Sequence, residues 1–498
     1  MKSNNNLHRL IRSLNKAEKR HFKMMISQHV KKDSSNYVLL FDAIDRQEEY
    51  DESKLKQKFR KHHFGKNISK TKYMLYRQVL KSLRLLNDAK TPKALVHSYL
   101  NSVSTLFSKC LYEQCEALLV KARVVAKEQQ YFDLLLDICN WEERLLPYLG
   151  LSPLAKYEEL SKLRSQLQSQ LCAESNLRSY WAQALRMENF SEEQQRLEWS
   201  RLMGRPELQL PQSETSFLSK VFFLCIHGLH AQHQGKPKAT AQLLEQLFSL
   251  WHQHPEYING REEEYIFSCA PFVLAGAGYP DLAKHYDELF RHLQDLGTPS
   301  HQSAKKVQCM ALVLEFIYSI ASRQIERCKI LLMSIETLLL QNVQVLPVEW
   351  QLRLYYHIGI YFFLVGKYAE AVEWIEKVEQ EASQETHPVM LNYCKLIGLM
   401  AKYEIESYSN VLEYDIRKTY RYLKKQEQFR EVERLVLNSV KKLLYANHGK
   451  ETEGIFANLC ESIQNIEGRK VPVYLVTSNA IYQWASHKLI DPNQRILN

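Results

Sequence analysis

Apolar residues recur at intervals of three and four positions along almost the whole chain, which is the period of an amphipathic α-helix. Tyr37, Leu40, Phe41 and Ile44 form one such stripe near the amino terminus. Glycine (15) and proline (14) are scarce among the 498 residues, whereas sandwiches and barrels need many turns. The pattern therefore predicts an all-α protein, and its length requires several domains or a repeat array.

The first 93 residues contain five short helical patterns. Asn15, followed three residues later by Glu18, is typical of a capping box, and Asp51 can cap a short helix that carries Leu55. The longest of these helices is expected over residues 69–86. The apolar faces are sufficient for a small helical bundle over residues 1–93.

Residues 351–384 predict two helices joined by a short turn at Gly366 and Lys367. Gly359 in the first helix and Ala371 in the second leave room for the two backbones to approach each other. One such hairpin cannot bury its own apolar faces, so it predicts neighbours of the same kind.

This hairpin resembles a tetratricopeptide repeat (TPR), because the order aromatic, apolar, glycine, then Gly-x-Tyr and alanine follows the 34-residue pattern. Weaker matches occur at 96–129, 221–254, 263–296 and 309–342. Thr240, Leu282 and Phe316 stand there in place of the small residues of the pattern. The resemblance implies a TPR-like α-solenoid, a right-handed superhelix of helical hairpins. The overall layout also resembles an uncharacterised bacterial TPR-containing protein family, which implies no activity.

We accordingly predict four parts. They are a basic helical bundle at 1–93, degenerate TPR-like hairpins at 94–212, a TPR solenoid at 213–388, and carboxy-terminal hairpins at 389–498. The segment 206–212 is expected to be a loop. A final helix at 473–489 is expected to cover the end of the stack.

The positive charge is concentrated in the amino-terminal part. Residues 1–93 hold 23 Lys and Arg against 9 Asp and Glu, or +14, whereas the remainder holds 43 against 47, or −4. Helical spacing places seven basic residues in two rows on the last two helices of the bundle: Lys54, Lys58, Lys61, Lys70, Arg77, Lys81 and Arg84. These rows predict nucleic-acid or other polyanion binding, a surface for an acidic protein, or a solvated face, and the sequence leaves all three open.

In TPR proteins the first helix of each hairpin lines a concave groove that binds polypeptides. Carried onto this sequence, the groove positions are Arg353, Tyr356, Ile360, Phe363 and Leu364 in one repeat, and Phe222, Leu229, Gln232 and His233 in another. This apolar wall suits an amphipathic helix or an extended apolar peptide. The alternative is a tightly wound superhelix in which these side chains meet the next turn.

The chain shows no motif of a catalytic or cofactor site. A phosphate-binding loop, an HExxH motif and a Gly-x-Ser-x-Gly motif are all absent. His227, His230 and His233 recur at intervals of three, but a shared metal site is awkward because His227 is expected to face the core. No cofactor and no metal are therefore expected.

Ten isolated cysteines, no secretion signal and no membrane span predict a cytoplasmic protein. The function predicted is a non-catalytic scaffold or adaptor that binds a protein or peptide in a TPR-like groove. The alternative is a nucleic-acid-associated regulator in which residues 1–93 bind DNA or RNA and the repeats sense a peptide.

Overall fold

The structure is a computed structural model. It describes residues 5–27, 32–62, 65, 67–87, 91–149, 153–190, 192–209, 215–258, 260–274, 283–296, 304–341, 343–383, 387–405, 410–425, 431–446, 449–467 and 475–489. In these residues the regular structure is helical and contains no strand. The prediction of an all-α protein is therefore confirmed. The backbone divides into two compact units, residues 1–167 and residues 168–498.

The first unit begins with five helices that form a bundle. They are α1 (Asn6–Ser13), α2 (Lys16–Ser27), α3 (Lys32–Asp45), α4 (Glu52–Lys58) and α5 (Ile68–Asn87). Helices α1, α2, α3 and α5 pack against one another, and the rings of Phe22 and Phe41 stack at their centre with centroids 4.7 Å apart. Three further helices follow: α6 (Pro92–Ser108), α7 (Tyr112–Glu128) and α8 (Phe132–Leu145).

The local signals for helix starts are confirmed in the bundle. The side chain of Asn15 accepts from the backbone N–H of Glu18 at 2.9 Å, and the Glu18 carboxylate accepts from the N–H of Asn15 at 2.8 Å. The Asp51 carboxylate accepts from the N–H of Lys54 at 3.0 Å, and this hydrogen bond lowers the pKa of Asp51. Both caps satisfy backbone donors that the first turn of a helix leaves unpaired.

Helix α9 (Pro153–Arg186) runs unbroken for 34 residues, where we expected short hairpins. Its length has a simple cause, since no glycine or proline occurs between Pro153 and Gly204. The expectation of a loop at 206–212 is wrong for its first four residues, which form a short helix, Pro206–Gln209. The last three residues of that segment, and the predicted repeat position at Leu282, lie outside the described part of the chain.

The helices of the second unit after α9 follow in order along the chain. They are α10 (Glu192–Met203), α11 (Pro206–Gln209), α12 (Phe217–His233), α13 (Pro237–Gln253), α14 (Glu262–Leu274), α15 (Ala283–Leu296), α16 (Ala304–Ala321), α17 (Ile325–Gln341), α18 (Val348–Leu364), α19 (Tyr368–Glu381), α20 (Pro388–Ile405), α21 (Asn410–Lys424), α22 (Glu431–Tyr445), α23 (Lys450–Glu467) and α24 (Leu475–His487).

Two sets of contacts hold these helices together. Neighbours in sequence pack as pairs, such as α12 with α13, α16 with α17 and α18 with α19. The first helices of successive pairs also contact one another, in the series α12, α14, α16, α18 and α20. This series is buried on most sides, and eleven of the 17 residues of α18 are buried. The core of the second unit therefore lies along this inner series.

The hairpin predicted at 351–384 forms as expected. Gly366 has φ +76° in the turn, and the N–H of Lys367 closes it by donating to the carbonyl of Phe362 at 2.9 Å. A Cβ atom on Gly359 would lie 2.9 Å from Cδ1 of Ile375 and 3.5 Å from the carbonyl oxygen of Ala371. The small residues at 359 and 371 thus allow α18 and α19 to pack closely.

Candidate functional site

Two surfaces correspond to the predicted sites, one in each unit. The first is formed by α4, α5 and the turn between them. Gly65 lies so close to the end of α4 that a Cβ atom there would be 1.9 Å from the carbonyl oxygen of Phe59. Only glycine permits this approach. The side chains of Leu55 and Phe59 are buried in the same core as Ile68 and Leu75 of α5, so the two helices are anchored to one core.

The exposed face of α5 carries a row of basic residues that we call the basic stripe: Lys70, Arg77, Lys81 and Arg84. At 100° per residue these four positions lie within a sector of about 60°, and at 1.5 Å per residue they span about 21 Å. Helix α5 contains no acidic residue among its 20 residues. Lys54, Lys58 and Lys61 on α4 and just beyond it are exposed as well. The row predicted on α5 is therefore present on the surface, whereas α4 ends at Lys58 and Lys61 lies beyond its end.

Other basic residues of the bundle have acidic partners. Lys72, also on α5, is half-buried and donates to Glu52 at 3.1 Å and to the Tyr50 hydroxyl at 2.9 Å. Burial acts to lower the pKa of Lys72, but these two hydrogen bonds outweigh it and the pKa is raised. Lys19 and Lys23 pair with acids of α3.

The basic stripe differs from these lysines. Across the described residues, none of its four members lies within 4 Å of an acidic side chain. We call Lys54, Lys58 and Lys61 the α4 row. Within the described part of the chain, only Lys54 of this row has an acidic neighbour, Asp51, at 3.7 Å on the surface. Among the described residues of the bundle, the positive charge of the stripe is therefore not paired with an acid.

One exposed aromatic residue lies among these cations, and the sequence patterns described above did not single it out. Tyr73 is 61% exposed on α5, and the guanidinium carbon of Arg77 lies 6.0 Å from the centre of its ring. Tyr73 lies three positions after Lys70 and four before Arg77, so helical spacing could have identified it. Further along the helix, Arg77, Leu80, Leu83 and Arg84 line an open depression.

The second surface is the inner side of α18, where the groove was predicted. Tyr356 (6% exposed), Ile360 (0%) and Phe363 (2%) are buried. Leu364 and Arg353 are half-buried, and Arg353 donates to Glu349 at 3.0 Å. Burial at three of the five positions shows that these side chains meet another part of the chain.

That other part is α24, which packs against α16, α18 and α23. The hydroxyls of Tyr356 and Thr477 are hydrogen-bonded at 2.6 Å, and both residues are buried. The ring of Trp484 lies 6.4 Å from that of Phe363, centre to centre. The indole N–H of Trp484 and the ammonium of Lys488 donate to the two carboxylate oxygens of Glu404, at 2.8 and 2.7 Å.

The positions predicted from the 221–254 repeat are covered too. Phe222 and Gln232 are buried, whereas Leu229 and His233 are half-buried. The guanidinium carbon of Arg178, on α9, lies 5.1 Å from the centre of the Phe222 ring. These positions therefore form part of the packed interior of the second unit.

The three histidines of α12 do not converge. The Nε2 atom of His227 lies 3.2 Å from the carbonyl oxygen of Leu208, whereas His230 and His233 pack on the ring of Trp199. Burial lowers the pKa of His230 to about 4, so its ring is neutral at pH 7. Within the described residues, no three histidine, cysteine, aspartate or glutamate side chains form a group that could hold a metal ion.

Comparison of the chain with known proteins finds no matching family model, no matching curated protein and no matching solved structure. Among the described helices, none is both long enough and apolar enough to traverse a lipid bilayer.

Proposed function

We propose that this protein is a non-catalytic scaffold whose second unit is a TPR-like solenoid that binds a polypeptide helix along its inner series of helices. The repeat assignment is supported by the hairpin of α18 and α19, with its glycine turn and its close approach at Gly359. It is also supported by the contacts between first helices of successive pairs, since stacked repeats bury their faces in this way.

The proposal rests on one observation, which is that α24 occupies the inner side of α16 and α18. The buried residues of α24 lie on one face at helical spacing: Thr477, Ala480, Ile481, Trp484 and Ala485. The small residues allow close approach and the tryptophan fills the space beside Phe363. An amphipathic helix laid into an apolar groove is a common mode of peptide recognition. The partner class proposed is therefore a helix with small and aromatic residues on one face.

An exchange experiment tests whether this surface binds helices in general. A protease site inserted between Glu467 and Leu475 is used to separate α24 from the rest of the chain. A fluorescent peptide of residues 475–489 should then bind with micromolar or better affinity and displace the cut helix. The Trp484→Ala peptide should bind much more weakly, because it lacks the ring that packs near Phe363.

The matched control is the His487→Ala peptide, because His487 is exposed on α24. It should bind like the unaltered peptide. Failure of the cut protein to exchange its helix, or equal binding of all three peptides, would contradict the proposal.

A further inference from the structure

The basic stripe on α5 carries an inference that is independent of the inner surface of the second unit. We propose that the stripe, together with the α4 row, binds the phosphate backbone of double-stranded nucleic acid without sequence preference. Three steps lead to this proposal, and they concern charge, rigidity and the nature of the partner.

The first step is the uncompensated charge. Lys70, Arg77, Lys81 and Arg84 are exposed and have no acidic neighbour in the described residues, on a helix without a single acid. Elsewhere in the bundle, acids of α3 and α4 are held by Lys19, Lys23, Lys56 and Lys72. Like charges kept together on one face destabilise a helix slightly. An arrangement of this kind attracts a dense polyanion.

The second step is rigidity. The opposite face of α5 is anchored in the core through Ile68, Leu75 and Val79. The side chain of Ser82 is also held, at 2.9 Å from Nδ1 of His21. Gly65, three residues before the start of α5, lies against the carbonyl of Phe59 at the end of α4. The cations therefore project from a preformed scaffold, which lowers the entropic cost of binding.

The third step is the choice of nucleic acid over an acidic protein. The cores of protein–protein interfaces are depleted of charged residues and of lysine in particular, whereas protein–DNA interfaces are strongly basic. Among the described residues of this surface, the seven exposed cations accompany one exposed tyrosine, Tyr73. Arginine can bind phosphate through two parallel hydrogen bonds, and the stripe has two arginines.

The spacing of the stripe also indicates which part of the duplex is contacted. Its four cations lie in one narrow sector of the helix over about 21 Å, which corresponds to about six base pairs at 3.4 Å each. Contacts to phosphates position a protein but carry no direct sequence information. We therefore expect similar affinity for duplexes of different sequence.

The test uses the full chain and labelled duplexes of random sequence, one of DNA and one of RNA, at salt concentrations from 50 to 300 mM. Four phosphate contacts predict that log K falls with log salt with a slope of about −3.6, and seven contacts predict about −6.3. Binding of either duplex with such a slope supports the proposal. The DNA and RNA arms identify which of the two the stripe prefers.

The decisive variant replaces all four stripe residues by glutamine: Lys70→Gln, Arg77→Gln, Lys81→Gln and Arg84→Gln. Its slope should be shallower by about 3.6, and its affinity at 0.1 M salt lower by roughly three orders of magnitude. The matched control neutralises four other exposed lysines of the first unit: Lys109→Gln, Lys121→Gln, Lys127→Gln and Lys162→Gln. It should retain the slope of the unaltered protein.

Three results would overturn the proposal. One is the absence of binding to both duplexes at 50 mM salt. Another is an equal loss in the stripe variant and the control, since binding would then follow net charge alone. The third is tighter binding of polyglutamate than of either duplex, which would favour an acidic protein partner. Circular dichroism of both variants checks that they remain helical.

Discussion

Replacing Gly228 by alanine tests the packing of the inner series directly. A Cβ atom at this position of α12 would lie 2.8 Å from Cε1 and Cζ of Phe272, on α14. Phe272 is 1% exposed and its ring is rigid, so the two clashing atoms cannot turn aside independently of the rest of the ring. Overpacking of this kind costs about 1–3 kcal/mol, whereas alanine gains about 1 kcal/mol in helix propensity over glycine. We expect Gly228→Ala to lower the free energy of unfolding by about 1 kcal/mol.

Alanine substitutions at two other helical glycines provide a comparison for this change in the free energy of unfolding. A Cβ atom on Gly359 would meet Cδ1 of Ile375 at 2.9 Å, but this atom is the end of a flexible side chain and can shift. We expect Gly359→Ala to be nearly neutral. No atom lies within 4 Å of a Cβ atom on Gly454, in α23, so Gly454→Ala should stabilise the protein by about 0.5–1 kcal/mol.

Urea unfolding followed by tryptophan fluorescence is a suitable assay, because six of the seven tryptophans lie in the second unit. The expected order, from the most to the least stable variant, is Gly454→Ala, Gly359→Ala and Gly228→Ala. The double variant Gly228→Ala with Phe272→Leu should lose less free energy of unfolding than the two single variants lose together, since leucine removes the clashing ring atoms. If Gly228→Ala is as stable as Gly454→Ala, then α12 and α14 do not pack as described.

Two further predictions concern protonation and thiol chemistry. Burial lowers the pKa of His357 to about 4, while its Nδ1 atom lies 2.6 Å from the carbonyl oxygen of Arg353. Below pH 6.5 the unfolded chain therefore binds a proton that the folded chain does not, and stability falls with acid. Between pH 7.5 and 5 this residue lowers the free energy of unfolding by about 2 kcal/mol. In urea unfolding, the free energy of His357→Gln should therefore fall by about 2 kcal/mol less than that of the unaltered protein over this pH range. An equal fall in both proteins would contradict a neutral, buried His357. Of the ten cysteines, Cys110 and Cys172 are exposed and eight are buried. Burial raises the pKa of Cys269 and Cys328 to about 12. A thiol reagent should therefore label the two exposed cysteines quickly in the folded protein, and the eight buried cysteines only after unfolding. Fast labelling that persists in the Cys110→Ser, Cys172→Ser protein would contradict this exposure pattern.

The features that the sequence predicted well are local. Both caps, the turn at Gly366 and the pairing of α18 with α19 depend on residues a few positions apart, or on adjacent helices. The basic stripe belongs to the same group, because helical spacing alone places its four cations on one face of α5. Local patterns of this kind are read from the chain without knowing what packs elsewhere.

The inner surface of the second unit could not be derived in the same way. Repeat register assigned Phe363 to the groove, yet Phe363 is buried and its neighbour Phe362 is half-buried. The ring of Phe362 faces the ammonium of Lys367 at 5.9 Å, whereas that of Phe363 lies beside Trp484, 121 positions further along the chain. The helical period shows only that two adjacent residues point in different directions. What each side chain then contacts depends on helices that are distant in sequence.

This dependence on distant helices bears on how the second unit binds a partner. The chain itself supplies a helix to the surface that repeat register assigned to a ligand, and it holds that helix with the buried Tyr356–Thr477 hydrogen bond and with the bonds of Trp484 and Lys488 to Glu404. Any partner helix on the proposed surface must replace these contacts, since buried polar groups left unpaired cost about 1–3 kcal/mol each. A partner able to compete therefore needs a donor for Glu404 and a hydroxyl or amide for Tyr356, besides an apolar face. The affinity of this surface for a partner helix then depends on the free energy with which the surface binds α24.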